Sequence, residues 1–322
     1  MLRRLLRIVL ALVAIGFLGY GLARNWDDTT TALAALSPWA VLGSFLAVML
    51  GQFLMLVAWR EIMAGLGTRV PLRIAGRIMF VGQLGKYIPG AVWAYAAMMD
   101  LGRDHGSPPR RTFATISLGL VINIGVAISI AAATLGSLEA VREAWYLVLL
   151  VPVIIVCLHP KVLGWGLNLA LRLARREPLE SVLPGRTVVV AVAWTVLGWF
   201  VYGVHIWLLT GRTDLYLAGT GAYAFAWATG ILTVVVPAGV GIREGALVLV
   251  LGPVIGTAPA LAVAIVSRLA FTLADAALAG VSFLLGRQAR PAPSSAAVYA
   301  DQNGSGSTAL TPDRNLSGSP EA

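Results

Sequence analysis

Five ionisable residues stand in or beside strongly apolar stretches of this chain: Lys86, Arg243, Glu244, Arg268 and Asp275. Ionisable side chains at membrane depth are costly and face a cavity, a pathway or a partner. Three cations against two carboxylates leave one positive charge. Arg268 and Asp275 are seven residues apart, on one helix face but about 10 Å along its axis, too far to pair directly. A partner from a neighbouring segment therefore belongs between them: Glu244 near Arg268, or Arg243 near Asp275. Excess positive charge beside free helix N-termini suits an anionic group such as phosphate, because unpaired backbone N–H groups and the helix dipole favour anions there. On this reading Lys86, Arg243 and Arg268 bind substrate, while Glu244 and Asp275 position those cations or take a coupling proton. A plainer reading fits the same residues, an ion-pair network that pins one segment to another. Lys86 has its own plain reading, a lysine reaching back to interfacial water.

No catalytic residue is expected. Ser267 stands beside Arg268, but the sequence shows no histidine near it to act as base. His105, His159 and His205 have no metal-ligand spacing, and Cys157 is the single cysteine, so no metal, cofactor or disulfide is expected. GVGIREG lacks the spacing of a dinucleotide loop and follows an apolar run instead of a strand.

These residues lie on two interruptions. Val235–Leu247, VVPAGVGIREGAL, breaks an apolar run with Pro237, Gly239, Gly241 and Gly245; Gly82–Trp93, GQLGKYIPGAVW, does so around Lys86, Pro89 and Gly90. Irregular backbone survives in hydrocarbon only where protein buries it or water reaches it. Paired interruptions in two halves of a chain point to a transporter's central site.

The 322 residues are 58% hydrophobic and 12% charged, and the apolar residues come in long runs, which predicts an all-α polytopic membrane protein. The net charge of +9 lies in loops between apolar runs, so topology explains it and nucleic acid is not an expected partner. Spans are expected at Ile8–Leu22, Val41–Trp59, Phe113–Thr134, Ala144–Leu158, Val188–Leu209 and Ala260–Leu285, with broken segments at Ile78–Met99 and from Leu217 through Leu251. Trp165–Leu173 reads as an interfacial amphipathic helix. Gln52, Gln83 and Asn123 are expected to hydrogen-bond between helices. Tyr87, Trp93, Trp194, Trp199 and Trp207 are expected in interfacial belts or helix packing. Arginine-rich loops around Arg60–Arg77, Arg103–Arg111 and Lys161–Arg186 place both termini in the cytoplasm of a multi-pass plasma-membrane protein. Six spans and two broken segments divide near Gly136 into an inverted repeat, provided each break is re-entrant; a kinked full crossing at either break removes the inversion. Residues 1–286 form the membrane domain, and 287–322, rich in Ser, Pro and Gly, a disordered cytoplasmic tail.

GKYIPGAVW at Gly85–Trp93, VPAGVGIREGAL at Val236–Leu247 and SRLAFTLAD at Ser267–Asp275 resemble, in this order and spacing, the flippase-like transmembrane domain of the lysylphosphatidylglycerol synthase family, over Leu5–Leu285. The resemblance implies movement of a lipid or lipid-linked intermediate between leaflets. The family's bifunctional synthases carry a large soluble catalytic domain after the membrane part; this sequence has a short tail there, so aminoacyl-lipid synthesis is not expected. Three functions follow. The first is translocation of a lipid with an anionic headgroup; the second is a membrane-embedded lipid or glycosyl transferase. The third is a non-catalytic partner that recruits a cell-envelope enzyme.

Overall fold

The computed structural model describes residues 26–87, 92–136, 146, 148–173, 183–233, 239 and 241–287, and every regular element among them is helical. In chain order these are α1 (Trp26–Ala34), α2 (Pro38–Gly65), α3 (Leu72–Gly76), α4 (Val92–Arg103), α5 (Pro109–Leu135), α6 (Leu150–Cys157), α7 (Pro160–Leu173), α8 (Gly185–Thr210), α9 (Tyr216–Leu232), α10 (Ile242–Ile255) and α11 (Thr257–Arg287). Five segments are long and apolar enough to cross a bilayer: Pro38–Gly65, Pro109–Leu135, Gly185–Thr210, Thr213–Leu232 and Thr257–Gly286. A sixth crossing arises if Leu150–Cys157 and Pro160–Leu169, bent by 69°, count as one. The expected span at Ile8–Leu22, the tail from 288 onward, and Pro89, Gly90 and Pro237 lie outside the described residues.

Helix starts follow local chemistry. Pro38, Pro109 and Pro160 open α2, α5 and α7, where a missing N–H costs nothing because the first turn has no intrahelical acceptor. For the same reason α7 begins at Pro160, five residues before the expected Trp165. The helix preceding it is eight residues long, Leu150–Cys157, shorter than the expected Ala144–Leu158 crossing, whose first residues are not described.

On α2, Trp39, Leu42, Leu46, Leu50 and Phe53 recur at helical spacing and all point outward. An apolar stripe of that length belongs against hydrocarbon. Its opposite face packs along α8, the most extensive helix pair among the described residues. Gly51 makes this possible, since a Cβ there would stand 2.3 Å from the Tyr202 ring. Small residues at such crossings let membrane helices approach without a hydrophobic drive.

The first interruption is irregular as expected. Arg77–Val81 is a π-helical turn, Leu84–Tyr87 a single 3-10 turn, and regular helix resumes at Val92. Tight and wide turns of this kind cluster at functional segments. The second interruption falls between α9 and α10. There Gly239 and Gly241 have φ of 66° and 82°, a left-handed backbone that favours glycine. Gly245 differs from its expected role: it lies inside α10 and breaks nothing, because Gly241 already ends the irregular stretch. Glu244 explains the start of α10. As its third residue, it reaches back and accepts the Gly241 N–H at 2.6 Å, satisfying a donor the helix leaves free.

α11 lies against both interruptions, packing on α10, on the π-helical turn and on the 3-10 turn. At its far end Arg77 donates to the Gly286 carbonyl at 3.0 Å, capping the last turn.

Candidate functional site

Each interruption is tied to α11 by one ion pair, and the two pairs have opposite polarity. From the first, Lys86 Nζ meets Asp275 Oδ2 at 2.6 Å. From the second, Glu244 Oε1 meets Arg268 Nε at 3.6 Å. Glu244 and Asp275 are both buried, and Lys86 is 37% and Arg268 22% exposed. Of the two pairings open at sequence level, Glu244 with Arg268 forms. Asp275 pairs with Lys86 instead of Arg243, because α11 carries Asp275 down to the first interruption while Arg268 stays level with the second.

Tyr87 joins the lower pair. Its hydroxyl donates to the same Asp275 Oδ2 at 2.6 Å, so the expected belt residue stands in the charged cluster. One carboxylate oxygen thus collects donors from two successive residues of the 3-10 turn, whose tight winding turns both side chains toward α11.

Arg243 is arranged differently. Its guanidinium donates to the Tyr223 hydroxyl at 2.9 Å and lies 5.7 and 5.9 Å from the ring centroids of Tyr223 and Phe271. Those rings stack at 5.1 Å and 23°. Among the described residues no carboxylate lies within 4.0 Å of Arg243. The tally of three cations and two carboxylates is therefore resolved in space: two pairs, and one cation held by a hydroxyl and two π faces. Lys86 lies within electrostatic range of Arg243 and Arg268, so the three cations form one group.

The stem of Arg243 passes over two glycines. A Cβ on Gly230 would meet Arg243 Cγ at 2.2 Å, and one on Gly239 would meet Cγ and Cδ at 3.1 Å. Arg243 also lines a cavity of about 20 Å³, together with Tyr223, Glu244, Ser267, Arg268 and Phe271. That volume holds one water-sized particle. On the first interruption a wide, open cleft of about 530 Å³ runs along Leu84, Gly85, Trp93, Ala96, Ala97 and Asp100.

Ser267 does have a histidine beside it, contrary to expectation. His205 Nε2 is 2.9 Å from Ser267 Oγ, and His205 Nδ1 contacts the Tyr202 carbonyl. A carbonyl only accepts, so Nδ1 carries a proton and Nε2 accepts from the serine hydroxyl. Sequence could not show this, because residues 205 and 267 sit on separate helices. Both are buried, and Ser267 lines the 20 Å³ cavity. An aromatic wall of Trp199, Tyr202, Tyr223 and Phe271 surrounds the pair. Trp199, fully buried, donates to Asn123 Oδ1 at 2.8 Å, the interhelical bond expected of that asparagine. Gln52 has no such role: its amide nitrogen is buried without a hydrogen-bond partner. No group of three or more metal-binding side chains occurs among the described residues.

No curated protein matches the chain. The family model described as the lysylphosphatidylglycerol synthase TM region matches residues 4–279, taking in both interruptions and every residue of the charged group. The chain, a multi-pass integral membrane protein, belongs to that family.

Proposed function

We propose that the protein moves a lipid with an anionic headgroup between leaflets, with Arg243 as the principal headgroup contact and Lys86 and Arg268 assisting. The observation that carries this reading is the isolation of Arg243 from any carboxylate among the described residues. A structural network would pair it, since an uncompensated cation at membrane depth is expensive. Glu244 and Asp275 hold the two flanking cations when no lipid is present. The open cleft beside Gly85 and Trp93 offers an apolar bed for a chain whose headgroup lies near Lys86.

The inverted repeat draws support from reciprocal packing. The second spans of the two halves, α2 and α8, lie against each other. The first interruption packs on α11, which ends the second half, and α9 of the second interruption packs on α5, which ends the first. Two halves that clasp each other's broken segments can rock about a shared site. The arginine-rich loops support cytoplasmic termini, and a plasma-membrane location belongs to the same proposal.

The test is leaflet movement of fluorescent anionic and zwitterionic lipids in proteoliposomes, comparing the native chain with Arg243→Ala and Arg268→Ala. Movement of anionic lipid that Arg243→Ala abolishes is the expected result. No movement of any lipid class under any imposed gradient overturns the reading.

The His205–Ser267 hydrogen bond favours a second reading, a transferase with Ser267 as nucleophile and His205 as base. The burial of both residues opposes it. Ser267→Ala separates the two: translocation survives the substitution, whereas a transferase would not.

A further inference from the structure

The 20 Å³ cavity poses a question that lipid translocation leaves unanswered: what balances Arg243 when no headgroup is bound. Two of its neighbours are engaged. Glu244 gives Oε1 to Arg268 and Oε2 to the Gly241 N–H. Asp275 gives Oδ2 to Lys86 and Tyr87. Moving either carboxylate to Arg243 would strand another cation or uncap α10.

Arg243 has five N–H donors, and one of them meets the Tyr223 hydroxyl. That hydroxyl, accepting from Arg243, keeps its own proton to donate. The void that Arg243 lines is bordered also by Tyr223, the Phe271 ring, Ser267 and the Arg268–Glu244 pair, whose charges offset each other, so Arg243, with donors to spare, supplies its net charge. As it stands in the lipid-free protein its room is about that of a single water-sized particle, less than a tetrahedral oxyanion needs unless the site widens. Net positive charge excludes a metal cation.

We propose that the lipid-free protein binds one monatomic anion, of chloride type, in this cavity, with Arg243 and the Tyr223 hydroxyl as its donors. The ion neutralises the odd charge of the group and occupies the place next to Arg243 that a headgroup must take. Chloride and lipid then compete, and the lipid-free site, which a headgroup must widen, is a halide site before it is a lipid site.

The experiment needs no transport. Thermal unfolding of the purified full chain in detergent is followed at equal ionic strength in gluconate, chloride, bromide and inorganic phosphate. A ligand that binds only the folded state raises the midpoint. Chloride and bromide are expected to raise it over gluconate by roughly 3 °C in a saturable manner, with phosphate giving no such rise. Arg243→Gln is expected to lose the halide increment, while Arg212→Gln, which alters an exposed arginine paired with Asp214 outside the site, keeps it. Tyr223→Phe, which removes one hydroxyl, weakens the halide concentration dependence and serves if Arg243→Gln does not fold. Crystals of the native chain in bromide should show an anomalous peak in the cavity. Equal midpoints in all four salts, an increment that survives both Arg243→Gln and Tyr223→Phe, a phosphate effect matching chloride, or a bromide peak elsewhere only would overturn the proposal. Failure here leaves the lipid reading intact, and failure of lipid movement leaves the halide measurement intact.

Discussion

Arg243 crosses Gly230 so closely that a methyl on the glycine would stand 2.2 Å from Arg243 Cγ. The contact is to the stem of the arginine, close to the backbone of α10, where the chain has little freedom to swing aside. Gly230 near the end of α9 and Gly239 after it thus form the slot that delivers a cation to the centre of the bundle.

Gly230→Ala should displace the guanidinium from the Tyr223 and Phe271 rings without touching any charge. Overpacking of this kind costs about 1–3 kcal/mol. Anionic-lipid movement in proteoliposomes should fall well below native while the protein still purifies as a folded species. Native transport in the alanine variant would mean that Arg243 need not sit where the structure places it.

The Lys86–Asp275 pair allows a separation of latch from binding site. Asp275→Ala leaves Lys86 without its carboxylate. Because Lys86 is partly exposed, the cost should fall between the roughly 1 kcal/mol of an exposed pair and the 3–5 kcal/mol of a buried one. Lys86→Met together with Asp275→Leu should recover most of that loss in a denaturant titration, since matched apolar replacement of a buried pair is close to neutral. Transport should stay impaired in the double variant. Full transport there would make Lys86 structural.

Glu244 does two jobs that substitution can divide. Glu244→Gln keeps an oxygen for the Gly241 N–H but drops the charge that meets Arg268; Glu244→Ala drops both. The alanine variant should be the less stable of the two by about 1 kcal/mol, the usual worth of a helix N-terminal cap. Equal unfolding midpoints would show that the cap contributes nothing.

Ser267→Ala removes the hydroxyl that His205 Nε2 accepts, leaving a buried acceptor unmet at a cost of about 1–3 kcal/mol. Lipid movement should persist, with a lowered unfolding midpoint. Loss of movement in a well-folded Ser267→Ala would give the serine a role in function.

The membrane class, the long spans and both interruptions were legible in the sequence, because each is written locally. Apolar runs of bilayer length mark α2, α5 and α8, and glycines in the left-handed backbone region mark the turn before α10. The odd positive charge was legible too, as a count. Gly245 was misread for a local reason as well: a glycine inside an apolar run looks the same whether it ends a helix or lies within one, and the Glu244 cap decides which.

What the sequence could not supply was the matching of partners. Asp275 with Lys86 and Tyr87, Ser267 with His205 and Arg243 with Tyr223 each join separate elements, the Asp275–Tyr87 bond across 188 residues of sequence. No periodicity encodes such pairings. They depend on the register at which α11 packs against α8 and the 3-10 turn, and α10 against α9, and each register is set by packing along whole helix faces. The sequence alone determined that a membrane bundle would carry one cation too many near its two broken segments. Only the tertiary structure decided that the cation is Arg243, because a carboxylate can satisfy only those donors that the packed helices bring within reach.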